Sequence, residues 1–408
     1  MQRSISTTTT SATRTLRAVE VPLTSAVVPR LYPAMMDALG GGPALLPVPN
    51  HPAPVRDELL DALRPSEPLE DTDVALVVPT SGSTGEPKGV MLSAKAIQSS
   101  AAATLRRLGG PGRWLLALPA THVAGLMVLA RSLVAETEPV ALDLSEGFDP
   151  ELFAAASVRL FSKGPGRRYT ALVARQLAAL LDADEAAAAA LNGYDAVLVG
   201  GSAISEELLE RAERAGINLV TTYGATETAG GCIYDGEPLD DVDVDITDDG
   251  RIRLRGPMLA SGYRLQPELS AEVFGGGWFT TADVGHFRPD GRLEVVGRID
   301  DVAVSGGVNV PLAAVDRLVG AHPAVREALA VALPDPDWGQ RVVAGVVAAD
   351  PAQPPRLESV REHVTRRAPP AYAPKELVLL EALPTLPSGK PDRRALAATL
   401  SARSGAPA

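Results

Sequence analysis

Between residues 74 and 222 the chain alternates two kinds of apolar stretch. Short unbroken runs of Val, Leu and Ala, as at 74–78 and 196–199, read as buried strands. Longer stretches with apolar residues every third or fourth position, as at 94–108, read as helices with one buried face. On this pattern strands are expected at 114–118, 140–144, 158–162, 195–199 and 217–222. Helices are expected at 94–108, 124–135, from Pro150, and at 169–181, 184–191 and 205–215. Ser93 stands where a helix N-cap would. Such alternation builds a mostly parallel, helix-covered sheet with binding sites at the carboxyl ends of its strands.

After Tyr234 the pattern shortens. Thr-Asp-Asp-Gly at 247–250 and Arg-Pro-Asp-Gly at 288–291 are turn signals, so a short-stranded β subdomain is expected there. Beyond it the order is helix (311–319), strands (328–333, 341–349), helix (357–367), strand (376–380) and a helix from Asp392. This is a small α+β unit. The expected division is therefore an N-terminal domain over 16–298 and a C-terminal domain over 299–408, joined near Asp300. Residues 16–73, rich in Pro, Gly and Ala, carry one legible helix at 55–63. Residues 1–15 are rich in Ser and Thr, with Arg3 and Arg14 and no acid. They superficially fit an organellar transit peptide, but they form no apolar face and are expected to be a disordered tail.

Composition narrows the function classes. A chain of 408 residues, 46% hydrophobic and 22% charged, can bury a large core in two or three domains. A net charge of −12 argues against general nucleic-acid binding, which needs a basic face, but not against nucleotide binding. The single cysteine, Cys232, excludes an internal disulfide and fits a reducing cytoplasm; it reads as a small buried residue rather than a nucleophile. Five scattered histidines show no metal-ligand spacing. No uncharged apolar run reaches the length of a membrane span.

Six blocks carry candidate chemistry. The first is Thr80, Ser81, Gly82, Ser83, Thr84 and Gly85 followed by Lys88: hydroxyls, glycine N–H groups and one cation, the donors a polyphosphate needs. Two residues separate Gly85 from Lys88, unlike the common nucleoside-triphosphatase loop. The pair Gly200–Gly201 with Ser202 would let a flat ring approach the backbone. In the next block Tyr223 and Gly224 precede Thr226 and Glu227: an aromatic that can stack, a phosphate donor and a hard-cation ligand. Asp283 follows an apolar strand and Arg298 lies on the next hairpin; a carboxylate there can accept two ribose hydroxyls. Ser305, Gly306 and Gly307 follow the joint, and Lys390 lies on a Pro/Gly turn near the end. Each block also has a plain reading, as flexible connector, tight turn, solvated loop or linker.

The five blocks at 80–89, 223–228, 280–285, 297–309 and 386–390, in their order and spacing, resemble the adenylate-forming superfamily of acyl-CoA ligases, luciferases and peptide-synthetase adenylation domains, over about residues 74–400. The resemblance implies a large N-terminal domain and a mobile C-terminal lid turning about Asp300. It also implies ATP, Mg²⁺ and coenzyme A, with an acyl-adenylate made first and its acyl group then passed to a thiol. Carried over residue by residue, Thr80 to Gly85 and Lys88 would cradle pyrophosphate. Thr226 and Glu227 would serve the α-phosphate and Mg²⁺, and Asp283 and Arg298 the ribose. Tyr223 and Gly200–Ser202 would flank adenine. Lys390 would act in adenylation, and Ser305–Gly307 would admit the pantetheine arm in thioester formation.

The acid is read from further stretches. Leu-Pro-Ala-Thr-His-Val-Ala-Gly-Leu at 118–126 corresponds to the block lining the acyl pocket; it carries His122 and Gly125 and no acid to hold an amino-acid ammonium. Residues 228–240 look like the Gly-Gly-Cys-Ile-Tyr-Asp-Gly run of o-succinylbenzoate–CoA ligases, although Ala171 and Ala174 depart from that subfamily. The implied substrate is an aromatic dicarboxylate, 2-succinylbenzoate, on the menaquinone route. His122, Ser202, Lys163, Arg167 and Arg168 are candidates for its second carboxylate. Another aryl- or acyl-CoA ligase and a non-catalytic nucleotide-binding relative stay open, and a homodimer is compatible with the chain.

Overall fold

The computed structural model of the protein describes residues 14–81, 87–183, 185–386 and 391–404. The larger domain contains two helix-covered sheets and a β subdomain. The first sheet runs in the order Leu16–Val21, Ala44–Pro49, Val74–Ser81, Pro87–Ser93, Gly262–Tyr263. Its first three strands are parallel, and Val74–Ser81 and Pro87–Ser93 form an antiparallel hairpin. The second sheet has seven strands: Glu237–Pro238, Gly230–Tyr234, Leu219–Ala225, Ala196–Gly200, Arg167–Val173, Gly112–Leu116 and Val140–Ala141. All but the first two are mutually parallel.

The continuous apolar runs follow from burial on both faces. Trp114, Leu116 and Leu198 enter a core shared with the first sheet and with helices Ala94–Arg107 and Val123–Val134. Their neighbours Leu115, Val197 and Val199 enter a second core beneath helices Pro150–Phe161, Ala174–Asp182 and Glu206–Arg214. Successive strand residues point to opposite faces, so a strand between two cores must be apolar throughout. Ser93 caps its helix as expected, accepting from Ala96 N at 3.0 Å.

One expected strand is a helix. Residues 158–161 complete Pro150–Phe161, which Asp149 caps by accepting from Glu151 N at 2.7 Å. Val158 is 65% exposed, while Phe153, Ala156 and Leu160 form the buried face. The strand is instead Arg167–Val173, and its helix begins only at Ala174. Residues 16–73 also hold more than the one legible helix. Two strands and helices Val27–Leu39 and Ala53–Leu63 lie there, with Pro33, Pro47 and Pro49 inside elements where proline reads as a breaker. Arg14 and Thr15, read as tail, contact the domain: Arg14 Nε donates to Gly42 O at 2.8 Å, and Thr15 O accepts from Ala44 N at 2.9 Å.

The β subdomain pairs Asp243–Ile246, Arg251–Arg255, Trp278–Phe287 and Leu293–Arg298 antiparallel. Past Arg298 the C-terminal unit builds its own sheet from Val302–Ser305, Val308–Pro311, Val325–Asp335, Gly339–Ala348 and Glu376–Leu379. It closes two cores of its own, one around Val315 and Val346 and one around Leu329 and Leu396. Among the described residues no helix is long and apolar enough to cross a membrane.

Candidate active site

The hairpin of the first sheet places Thr80 opposite Lys88. The turn residues Gly82, Ser83, Thr84 and Gly85 lie outside the described residues, as does Lys390. Lys88 Nζ sits 5.5 Å from the centre of the Tyr263 ring, and the Tyr263 hydroxyl donates to Glu227 Oε1 at 2.8 Å. Three residues far apart in sequence thus meet, and sequence reasoning named two of them. Tyr263 arrives because residues 260–264 are hydrogen-bonded into both neighbours. Ala260 N donates to Glu227 O at 2.8 Å, Ser261 N to Met91 O at 3.0 Å and Arg264 N to Gly89 O at 2.8 Å. Burial, then the Glu227 charge, pushes the Tyr263 phenol well above its ordinary range, so it is a neutral donor.

Glu227 lies in the short turn Thr226–Thr228 at the end of strand Leu219–Ala225. Thr228, buried, tightens that turn: its hydroxyl accepts from Ala225 N at 2.8 Å and donates to Gly230 O at 2.7 Å. Thr226 and Glu227 stay half-buried beside it. Among the described residues no group of three or more His, Cys, Asp or Glu could hold a metal alone. A single carboxylate fits a cation held jointly with nucleotide phosphates, which is how Mg²⁺ usually binds.

The ribose candidates also meet. Asp283 and Arg298 are cross-strand partners, with Arg298 Nη1 3.6 Å from Asp283 Oδ1. Tyr223 donates its hydroxyl to Asp283 Oδ2 at 2.8 Å. Burial first and the Asp283 charge second drive the Tyr223 phenol far up, so it too stays protonated. Arg298 also acts electrostatically on the Tyr263 phenol, so it links the two clusters. Gly200 lies opposite Thr222 in the sheet, with Gly201 and Ser202 exposed at the strand's carboxyl end.

At the acid end His122 begins helix Val123–Val134, and its N–H donates to Pro119 O at 3.2 Å. Gly125 lets that helix close on the preceding loop: a Cβ there would stand 2.7 Å from the Pro119 carbonyl carbon. Lys163, Arg167 and Arg168 lie at or before the amino end of strand Arg167–Val173, away from the end that carries the other candidates. Arg167 pairs with Asp195 at 3.6 Å, and Arg168 lies over the Phe161 ring. Besides Tyr263, sequence reasoning missed Arg131, 4% exposed in the same helix as Gly125. Its guanidinium lies over Trp114, and neither its Nε nor the Trp114 Nε1 has a hydrogen-bond partner. A side-chain carbon built at Gly230 would stand 3.9 Å from Arg131 Nη2. The helical spacing at 123–134 gave no warning, since arginine at that position reads as a solvated face.

In the C-terminal unit Gly306 (φ +58°) and Gly307 (φ +78°) join paired strands as a two-residue hairpin turn, a conformation favouring glycine whatever its function. Gly306 N donates to Trp338 O at 2.9 Å, and Ser305 is buried. Asp300 lies in the turn Ile299–Asp301. Its neighbour Asp301 pairs with Arg393 at 3.0 Å.

Residues 42–264 match the AMP-binding enzyme family, and residues 314–390 match the AMP-binding enzyme C-terminal domain. The chain is 48% identical over 386 residues to a probable 2-succinylbenzoate–CoA ligase of Mycobacterium tuberculosis, covering 93% of this chain and 97% of that protein. It is 31% identical over 348 residues to the 2-succinylbenzoate–CoA ligase of Listeria monocytogenes, covering 81% and 72%. Its fold superposes on wild-type Escherichia coli MenE, bound to an analogue of OSB-AMS, with a TM-score of 0.71 and 27% identity, covering 96% and 89%. The chain belongs to the AMP-binding enzyme family.

Proposed function

We propose that the protein is an ATP-dependent 2-succinylbenzoate–CoA ligase. The observation that carries this reading is the convergence of Lys88, Glu227, Asp283 and Arg298 through two tyrosines, in a chain so close to ligases of that name.

In the first half-reaction a carboxylate oxygen of the acid forms a bond to the α-phosphorus while the bond to pyrophosphate breaks. Two anions must meet, so preformed cations and donors lower the barrier. Asp283 and Arg298 hold the ribose, Tyr223 and residues 200–202 flank the base, and Thr226 faces the α-phosphate. Lys88 and the loop ending at Gly85 take the pyrophosphate. Glu227 is the residue that would hold Mg²⁺, whose charge would offset that of the phosphates. In the second half-reaction the thiolate of coenzyme A attacks the acyl carbon and AMP leaves. The C-terminal unit turns about Asp300 between the two, withdrawing Lys390 and presenting Ser305–Gly307.

The second carboxylate of the substrate stays charged throughout and needs a buried partner. Arg131 supplies one: a buried cation with an unpartnered Nε and no ion pair among the described residues. Burial of Cys232 fits a reducing cytoplasm, where no disulfide is required.

The test is single-turnover mass spectrometry. ATP, Mg²⁺ and 2-succinylbenzoate without coenzyme A should give the acyl-adenylate, and coenzyme A should convert it to the thioester. Lys390→Ala should block the first step and spare the second. Thioester formed with no adenylate detectable in the absence of coenzyme A would overturn the two-step reading.

A further inference from the structure

We infer that Tyr263 is a positioning residue that keeps Lys88 and Glu227 apart and separately available, and so sets how strongly nucleotide binding depends on a divalent cation. The inference rests on the nucleotide reading above. Lys88 stands on the hairpin of the first sheet, and Glu227 on a turn at the end of a strand in the second. Neither has an ion-pair partner among the described residues. A direct pair between them would neutralise the cation meant for phosphate and the carboxylate meant for a metal. Tyr263 occupies the position between: its ring face takes the ammonium, and its hydroxyl takes one carboxylate oxygen.

The tyrosine is built to hold that place. It is 6% exposed and pairs with Val90 in the first sheet. Its N–H donates to Ser270 Oγ at 2.8 Å, and its ring packs on Phe274 with centres 5.8 Å apart. The next residue, Arg264, is 1% exposed and donates to the carbonyls of Leu63, Arg64, Glu67 and Pro68 and to Glu70. The phenol can therefore fix Glu227 without moving itself. A hydroxyl donated to Oε1 fixes that oxygen and leaves the remaining lone pairs of the carboxylate to a hard cation.

The experiment is calorimetry of ATP binding without acid or coenzyme A, in Mg²⁺ and in EDTA, for the parent, Tyr263→Phe, Tyr263→Leu and Glu227→Gln. Tyr263→Phe keeps the ring and should bind ATP in EDTA within about twofold of the parent. The tightening produced by Mg²⁺ should fall by about tenfold, the usual scale for an outer-shell partner. Tyr263→Leu should also bind less well in EDTA, because the seat of Lys88 is gone. If Glu227→Gln loses the Mg²⁺ increment and Tyr263→Phe keeps it, the inference is overturned. If Glu227→Gln keeps it, the assignment of Glu227 falls and the inference with it. Thermal unfolding confirms folding, and should Tyr263→Leu not fold, Tyr263→Phe against Glu227→Gln decides alone.

Discussion

The Tyr223 hydroxyl donates to Asp283 Oδ2 at 2.8 Å, while Arg298 faces the other oxygen of that carboxylate at 3.6 Å. Asp283 is thus aimed from two sides, by a neutral donor and by a cation. Removing the phenol oxygen in Tyr223→Phe should raise KM for ATP by about tenfold, the scale of one hydrogen bond to a charged group. The value of kcat at saturating ATP should change less. Steady-state kinetics with varied ATP checks this, and an unchanged KM would show that Asp283 needs no such support.

Arg131 gives a second prediction with two opposed readouts. Arg131→Met removes a buried charge that has no ion-pair partner among the described residues, so its melting temperature should equal or exceed the parent's. The same change should raise KM for 2-succinylbenzoate by about 30-fold or more, since the substrate carboxylate is left buried and unpaired. KM for ATP should hold. A variant with parental KM for the acid would remove Arg131 from the substrate site.

Much of this was legible in the sequence, and the exceptions have physical causes. Strand–helix alternation from 94 onward held where strands lie between two cores, because double burial forces unbroken apolar runs. It failed at 158–162, where a β-favouring composition sits on a capped helix with Val158 facing solvent. Blocks such as Tyr223 to Glu227 were readable because their residue types are rare together. Tyr263 and Arg131 were not, since each gains meaning only from partners more than 35 residues away or from the lack of one. The Gly306–Gly307 pair shows the converse: its turn demands glycine, so its presence says less about a ligand than the motif suggests.

Arg264 should be the costliest arginine to remove for stability. Its guanidinium answers four backbone carbonyls and Glu70 at 2.9 Å. Arg264→Ala should destabilise the fold by about 3–5 kcal/mol, the range for breaking a buried pair. The exposed Arg366–Glu362 pair offers the contrast, and Arg366→Ala should cost less than about 1 kcal/mol. Denaturant titration measures both.

Alkaline pH gives the fourth prediction. Burial pushes the Cys232 thiol up to about 12 and the Tyr169 phenol, which donates to Leu108 O and Gly110 O at 3.0 Å, also to about 12. Both folded values lie above those of the unfolded chain, so the native state holds these protons longer. Their contribution is complete below about pH 9 and is lost as pH rises from there toward 12. Unfolding free energy should fall over that window, and native Cys232 should resist iodoacetamide at pH 8 yet react once unfolded. Rapid labelling of the native protein would contradict the burial of this thiol.

The measurement that tests the central claim most directly is ATP-dependent pyrophosphate release with 2-succinylbenzoate, benzoate, a fatty acid and an amino acid, each with and without coenzyme A. The account predicts sustained turnover with 2-succinylbenzoate and coenzyme A alone. Equal or faster turnover with one of the other acids, or none with 2-succinylbenzoate, would contradict it.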